Sequence, residues 1–117
     1  METKLYTTET IKLAGKKKVT PSEVLFLKAD VNYTEVFLQD GEKVIVSKTL
    51  KELEKDFINH DFFRTHKSYM VNLHHVTGYQ IHEGLLVKVH NEHQVSLSRR
   101  RKDVFLLTVS KFKSGLN

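Results

Sequence analysis

Four consecutive cations, Arg99-Arg100-Arg101-Lys102, follow Ser98 directly after a segment that alternates like a β-strand. Holding like charges side by side is unfavourable, so the run calls for a reason. A guanidinium fork matches either phosphate oxygens or the O6 and N7 of guanine, which suits both backbone attachment and base reading. The structural alternative is a solvated charge run whose arginine stems cover nearby apolar surface. A second cluster, Phe62-Phe63-Arg64-Thr65-His66-Lys67-Ser68-Tyr69-Met70-Val71-Asn72, sets polar side chains between the apolar anchors Phe63, Met70 and Val71. Lys67 has the chemistry to meet a phosphate or a base acceptor, whereas His66, Ser68 and Asn72 read as side chains that hydrogen-bond local backbone and hold a turn. A third segment, Asp30-Val31-Asn32-Tyr33-Thr34, interrupts two apolar runs. Asn32 and Thr34 are competent base readers and Tyr33 offers a hydroxyl to phosphate, although turn chemistry alone accounts for Asn32. The run Lys16-Lys17-Lys18 suits phosphate too, or simply an exposed turn.

The distribution of charge agrees with an anionic partner. The chain of 117 residues carries a net charge of +5, and residues 1–60 balance ten bases against ten acids. Residues 61–117 hold nine bases and four acids, so the whole excess lies there. With 39% hydrophobic residues, the length suits one domain spanning residues 1–117 with a modest core. No cysteine is present, which removes disulfides and thiolate metal sites from consideration. Met1 to Thr10 contain no apolar run of the kind a secretory signal or membrane span needs, so a cytoplasmic protein without membrane contact is the expectation.

Catalysis finds little support. Among the seven histidines, His90 and His93 flank a turn and His74, His75 and His82 lie nearby, but no HExxH pattern or carboxylate partner at helical spacing accompanies them. Serine-nucleophile signatures and glycine-rich phosphate loops are also missing, so neither an enzyme nor a bound cofactor or metal is expected. The remaining rival is a β-rich module that binds RNA or another protein, since Tyr6, Tyr33, Tyr69 and Tyr79 offer ring surfaces. These aromatics are interspersed singly in apolar segments, where core packing is the ordinary use.

The elements that must position these residues are mostly strands. Lys43 to Ser47, Leu85 to His90 and Gln94 to Ser98 alternate apolar and polar residues with period two. Asp40-Gly41 between two such runs predicts a tight hairpin, because glycine accepts a positive φ; Glu83-Gly84 and Asn91-Glu92 mark further turns. Leu5 to Leu13 and Lys17 to Thr20 flank Gly15 as an early hairpin, and Pro21 breaks the chain before the apolar run Val24 to Leu27. Thr49-Leu50-Lys51-Glu52 fits a capping box ahead of Leu50, Leu53 and Phe57 on one helical face. A second helix is expected from about Arg99 to Phe112, with Phe105, Val109 and Phe112 at helical spacing. Cations at its start oppose the helix dipole, which again points to a task other than helix stability.

The run FFRTHKSYMVNL from Phe62 to Leu73 resembles the signature of the LytTR DNA-binding domain, through Phe63, Arg64, His66, Ser68, Val71 and Asn72. The order of the other segments is similar as well: Leu25 to Ala29 leading into Asn32-Tyr33, the Asp40-Gly41 hairpin, Ser47 to Leu50, and Val95 to Arg100. The resemblance covers roughly Leu5 to Phe112. It implies a mainly β fold, an elongated stack of antiparallel sheets with one or two short helices, whose connecting loops enter successive major grooves of duplex DNA. It further implies a bacterial transcriptional regulator acting at promoter direct repeats, with two copies, or a homodimer, on one DNA. By position, the contacts it implies are Asn32, Tyr33 and Thr34, Lys67, and Arg99, with Arg64 and Arg100 as auxiliary backbone contacts.

Overall fold

A valine-, leucine- and phenylalanine-rich strand buried on both faces organises the chain. It is seen in a computed structural model that describes residues 9–15 and 17–115. The elements are β1 (Ile11–Ala14), β2 (Lys17–Val19), β3 (Val24–Asp30), β4 (Tyr33–Leu38), β5 (Lys43–Val46), α1 (Leu50–Phe57), β6 (Phe62–His66), β7 (Tyr69–Asn72), β8 (Val76–Gln80), β9 (Leu86–Val89), β10 (His93–Ser96) and α2 (Lys102–Gly115). They form three antiparallel sheets: the β1–β2 hairpin, a five-stranded sheet in the order β5-β4-β3-β7-β6, and a three-stranded sheet in the order β10-β9-β8. The body measures 41 × 41 × 24 Å. The first strand expected from Leu5 falls partly outside the described residues, as does Lys16 of the lysine run; the described part forms the expected hairpin, with Ile11 opposite Val19.

The five-stranded sheet separates two cores. On one face Val24, Leu27, Val36, Leu38, Val46 and Met70 pack against the β1–β2 hairpin and α1. On the other, Leu25, Phe26 and Val71 pack against the three-stranded sheet and Phe105 and Val109 of α2. Strict alternation would send Leu25 and Phe26 to opposite faces. A register irregularity between Val24 and Phe26 instead puts both in the second core, the behaviour of a β-bulge. Covering both faces is why β3 reads as an uninterrupted apolar run rather than an alternating one.

Local chemistry sets the element ends. Gly41 takes φ +97°, and Asp40 Oδ1 accepts from the Glu42 amide at 2.8 Å, closing the β4–β5 hairpin as expected. Asn91 and Glu92 both take positive φ between β9 and β10, as do Glu83 and Gly84 between β8 and β9. Thr49 caps α1: its hydroxyl accepts from the Glu52 amide at 3.2 Å, and the Glu52 carboxylate accepts from the Thr49 amide at 2.8 Å. Leu50, Leu53 and Phe57 are the buried face. Arg99 to Arg101 form a 3₁₀ turn capped by Ser98, and the α-helix begins only at Lys102. Phe105 and Val109 are buried and Phe112 is partly so, in line with the expected spacing.

Candidate nucleic-acid interface

Strand pairing brings three separate turns to one end of the five-stranded sheet. Strand β3 runs into the tip Val31-Asn32, where Asp30 pairs with Tyr33. Beside it β7 runs antiparallel with Lys28 opposite Tyr69, and the Ala29 amide donates to the Ser68 carbonyl at 2.8 Å. The β3–β4 tip and the Lys67-Ser68 turn between β6 and β7 therefore lie at the same end. On the outer side of β6, the Ser98 amide donates to the Thr65 carbonyl at 2.8 Å and Arg101 Nη1 to the Arg64 carbonyl at 3.4 Å. Those bonds tie the start of the arginine run to that end too, where His66, Lys67, Ser98, Arg100 and Arg101 line one shallow concavity. Asn32, Tyr33, Lys67, Arg99 and Arg100 are all solvent-exposed.

The Lys67 turn is held from inside. Arg64 Nε donates to the His66 carbonyl at 3.1 Å and Nη2 to the Lys67 carbonyl at 2.7 Å, while Nη1 pairs with Glu54 of α1. Every guanidinium nitrogen thus has a protein partner. The side chain of Arg64, for which a DNA-backbone contact is expected, is 16% exposed and grips the turn that displays Lys67. Glu54 carried no obvious signal, yet the capping box fixes the phase of α1 and sets residue 54 four positions after buried Leu50, on the flank of the packed face. His66 Nδ1 accepts from the Ser68 amide at 3.0 Å. Asn72 donates to the carbonyls of Pro21 and Val24 at 3.2 and 2.9 Å and accepts from the His74 amide at 3.0 Å. His66 therefore holds local backbone, whereas Asn72 caps the adjoining turn through the His74 amide and also ties β7 to the distant segment Pro21 to Val24.

Two positions of the β3–β4 tip have geometry that side-chain type does not announce. Thr34 is fully buried and its hydroxyl donates to the Lys48 carbonyl at 2.7 Å, so it braces the chain ahead of α1 and offers nothing to a base. Its spacing with Val36 and Leu38, which share the same buried face, carried that information. The positive φ of the turn falls on Val31, at +54°, and not on Asn32. A β-branched residue adopts that region at a cost of about 1–3 kcal/mol. Val31 is nonetheless 88% exposed, and Tyr33 is 50% exposed.

The sequence pattern of the LytTr DNA-binding domain matches residues 14–109. The chain belongs to the LytTR family. No curated protein matches the chain. A solved structure described as the LytTr DNA-binding domain of a methyl-accepting/DNA response regulator from Bacillus cereus superposes with a TM-score of 0.73 at 22% identity, covering 88% of this chain and 98% of that one. At that identity the likeness speaks for the fold. Among the described residues of this LytTR domain, no group of three histidine or carboxylate side chains is arranged to hold a metal, and no helix is long and apolar enough to cross a membrane. Three histidines sit in close pairs: His74 Nε2 meets Asp61 at 3.0 Å and His75 Nδ1 meets His90 Nδ1 at 3.1 Å. His93 packs edge-on against Phe26 and Phe37.

The positioning role of Arg64 in this LytTR domain has a measurable signature. Losing a phosphate contact lowers the slope of log affinity against log salt by about 0.9. Arg64→Ala is expected to weaken duplex binding while leaving that slope unchanged, because no phosphate partner is lost. Arg64→Lys is expected not to rescue, since one ammonium cannot span Glu54 and two carbonyls. A slope reduced by nearly one unit would instead assign Arg64 to the backbone.

His66 supplies a second test. Burial, reinforced by Lys67, Arg101 and Arg64, holds its imidazole below the usual 6.5. Only the neutral ring can accept from the Ser68 amide. The unfolded chain takes up this proton first as pH falls, so the stabilisation is complete above about 6.5 and is lost as pH drops toward the lower folded value. Denaturant melts at pH 7.5 and 5.5 should show a smaller loss of stability for His66→Gln than for the unaltered protein. Identical losses would contradict this assignment.

Proposed function

We propose that this LytTR domain binds double-stranded DNA sequence-specifically and serves bacterial transcription regulation from the cytoplasm. On this reading residues 1–117 act as one domain, and Lys67 and Arg99 enter neighbouring stretches of major groove from separate turns. Asn32 and Tyr33 approach from a third turn and Arg100 meets backbone phosphate. The observation that carries the proposal is the gathering of these five exposed side chains at one sheet end by the β3–β7 pairing and the Ser98–Thr65 hydrogen bond.

The division of labour follows from side-chain chemistry. Arg99 at the start of its 3₁₀ turn can fork onto guanine O6 and N7, the commonest specific contact in the major groove. Lys67 is a point charge on a flexible stem, suited to a base acceptor or a phosphate. Most of the affinity is then electrostatic and falls steeply with salt, while discrimination comes from the few base contacts. The family resemblance adds direct repeats at promoters as the target and two copies on one DNA. The RNA-binding alternative draws less support from the packing: Phe26 stacks on Phe37 with centroids 4.3 Å apart, and Phe105 is edge-on to both Phe63 and Tyr79, so these rings pack on one another instead of forming a platform for bases.

Gel-shift titrations on a selected duplex, a scrambled duplex, single-stranded DNA and RNA at two salt concentrations test the reading. The selected duplex is expected to bind most tightly at both salts. Arg99→Ala should cost about 1–3 kcal/mol and relax preference at one base position. Equal affinity for selected and scrambled duplexes, or unchanged selectivity in Arg99→Ala, would refute it.

A further inference from the structure

The DNA contacts proposed above are all polar, yet the most exposed large apolar side chain on the described surface, Val31 at 88%, stands among them. Its position is unusual twice over. It occupies the first residue of the two-residue β3–β4 turn, at φ +54°, where glycine is the natural occupant. The isopropyl group also belongs to neither hydrophobic core, so the fold gains no packing in return for the strained backbone. A backbone outlier without an internal use, next to exposed Asn32 and Tyr33 and at the same sheet end as Lys67 and Arg99, points outward for its explanation.

The chemistry of the partner narrows that explanation. Base edges in the major groove present donors and acceptors, and one apolar group, the 5-methyl of thymine. A β-branched side chain has few rotamers, so a valine fixed at a hairpin tip presents its two methyls as a stiff apolar knob. Removing that knob from water requires an apolar surface of similar size. We infer that Val31 is a specificity-determining residue that packs against the 5-methyl group of a thymine, selecting A·T over G·C at the position facing the β3–β4 turn. The inference rests on the duplex-binding reading and adds to it a residue and a base preference that none of the polar contacts supplies.

The experiment removes the methyl groups one side at a time. In the duplex obtained by random selection, each thymine is replaced in turn by deoxyuracil, which lacks only the 5-methyl, and binding is measured for the unaltered protein and for Val31→Gly. Glycine takes φ +54° without strain, so this variant should fold at least as stably as the parent, which a thermal melt checks. One deoxyuracil position is expected to weaken the parent about three- to fivefold, the worth of one buried methyl group. The same replacement should leave Val31→Gly unaffected. If no thymine proves sensitive, or if the sensitivity persists in Val31→Gly, the thymine contact is overturned while selective duplex binding stands. If neither protein prefers the selected duplex to a scrambled one, the duplex-binding reading fails and this inference falls with it.

Discussion

The antiparallel pairing of β3 with β7 is the constraint from which the candidate interface follows. Strand β3 is hydrogen-bonded along both edges and buried on both faces, so its register cannot slip without moving two cores at once. Fixing Lys28 opposite Tyr69 fixes the Val31-Asn32 tip beside the Lys67-Ser68 turn, although more than thirty residues of chain separate them. The sheet faces are consumed by packing. What remains for a large rigid partner is the end of the sheet, where turns project and backbone is free to approach it.

That end is prepared by interactions that themselves face inward. Arg64 joins α1 to the Lys67 turn through Glu54 and two backbone carbonyls, and His66 closes the same turn through the Ser68 amide. The capping box of α1 therefore acts at a distance: it sets the helix phase that delivers Glu54 to Arg64. On the other flank, Ser98 serves twice, its amide bound to the Thr65 carbonyl and its hydroxyl accepting from the Arg101 amide at 3.3 Å. The arginine run begins where this anchor holds it, which explains why a strongly cationic segment is tolerated at the start of a helix. Placing exposed charges on braced turns lowers the entropy lost when a partner binds.

Much of this was legible in the residue order. The Asp40-Gly41 hairpin, the Thr49 cap, the apolar faces of α1 and α2 and the backbone-binding role of His66 follow from local chemistry that tertiary structure did not override. The burial of Thr34 becomes legible only when the residue is read with its period-two companions Val36 and Leu38. The partner of Arg64 is hidden for a different reason: Glu54 lies on another element, and nothing local announces a pair formed only by packing. The bulge at Leu25 and the left-handed Val31 were likewise invisible, since neither is the residue type that ordinarily marks such geometry. Sequence logic thus locates the turns, while side-chain type alone does not show which residues turn inward, pair across elements or carry unusual backbone geometry.

Amide chemical shifts followed during titration with a selected duplex test the central claim most directly. The account predicts that the largest changes cluster together at Asn32-Tyr33, Lys67-Ser68 and Arg99-Arg100. Changes centred on the Asp40-Gly41 hairpin, at the opposite end of the same sheet, would contradict it.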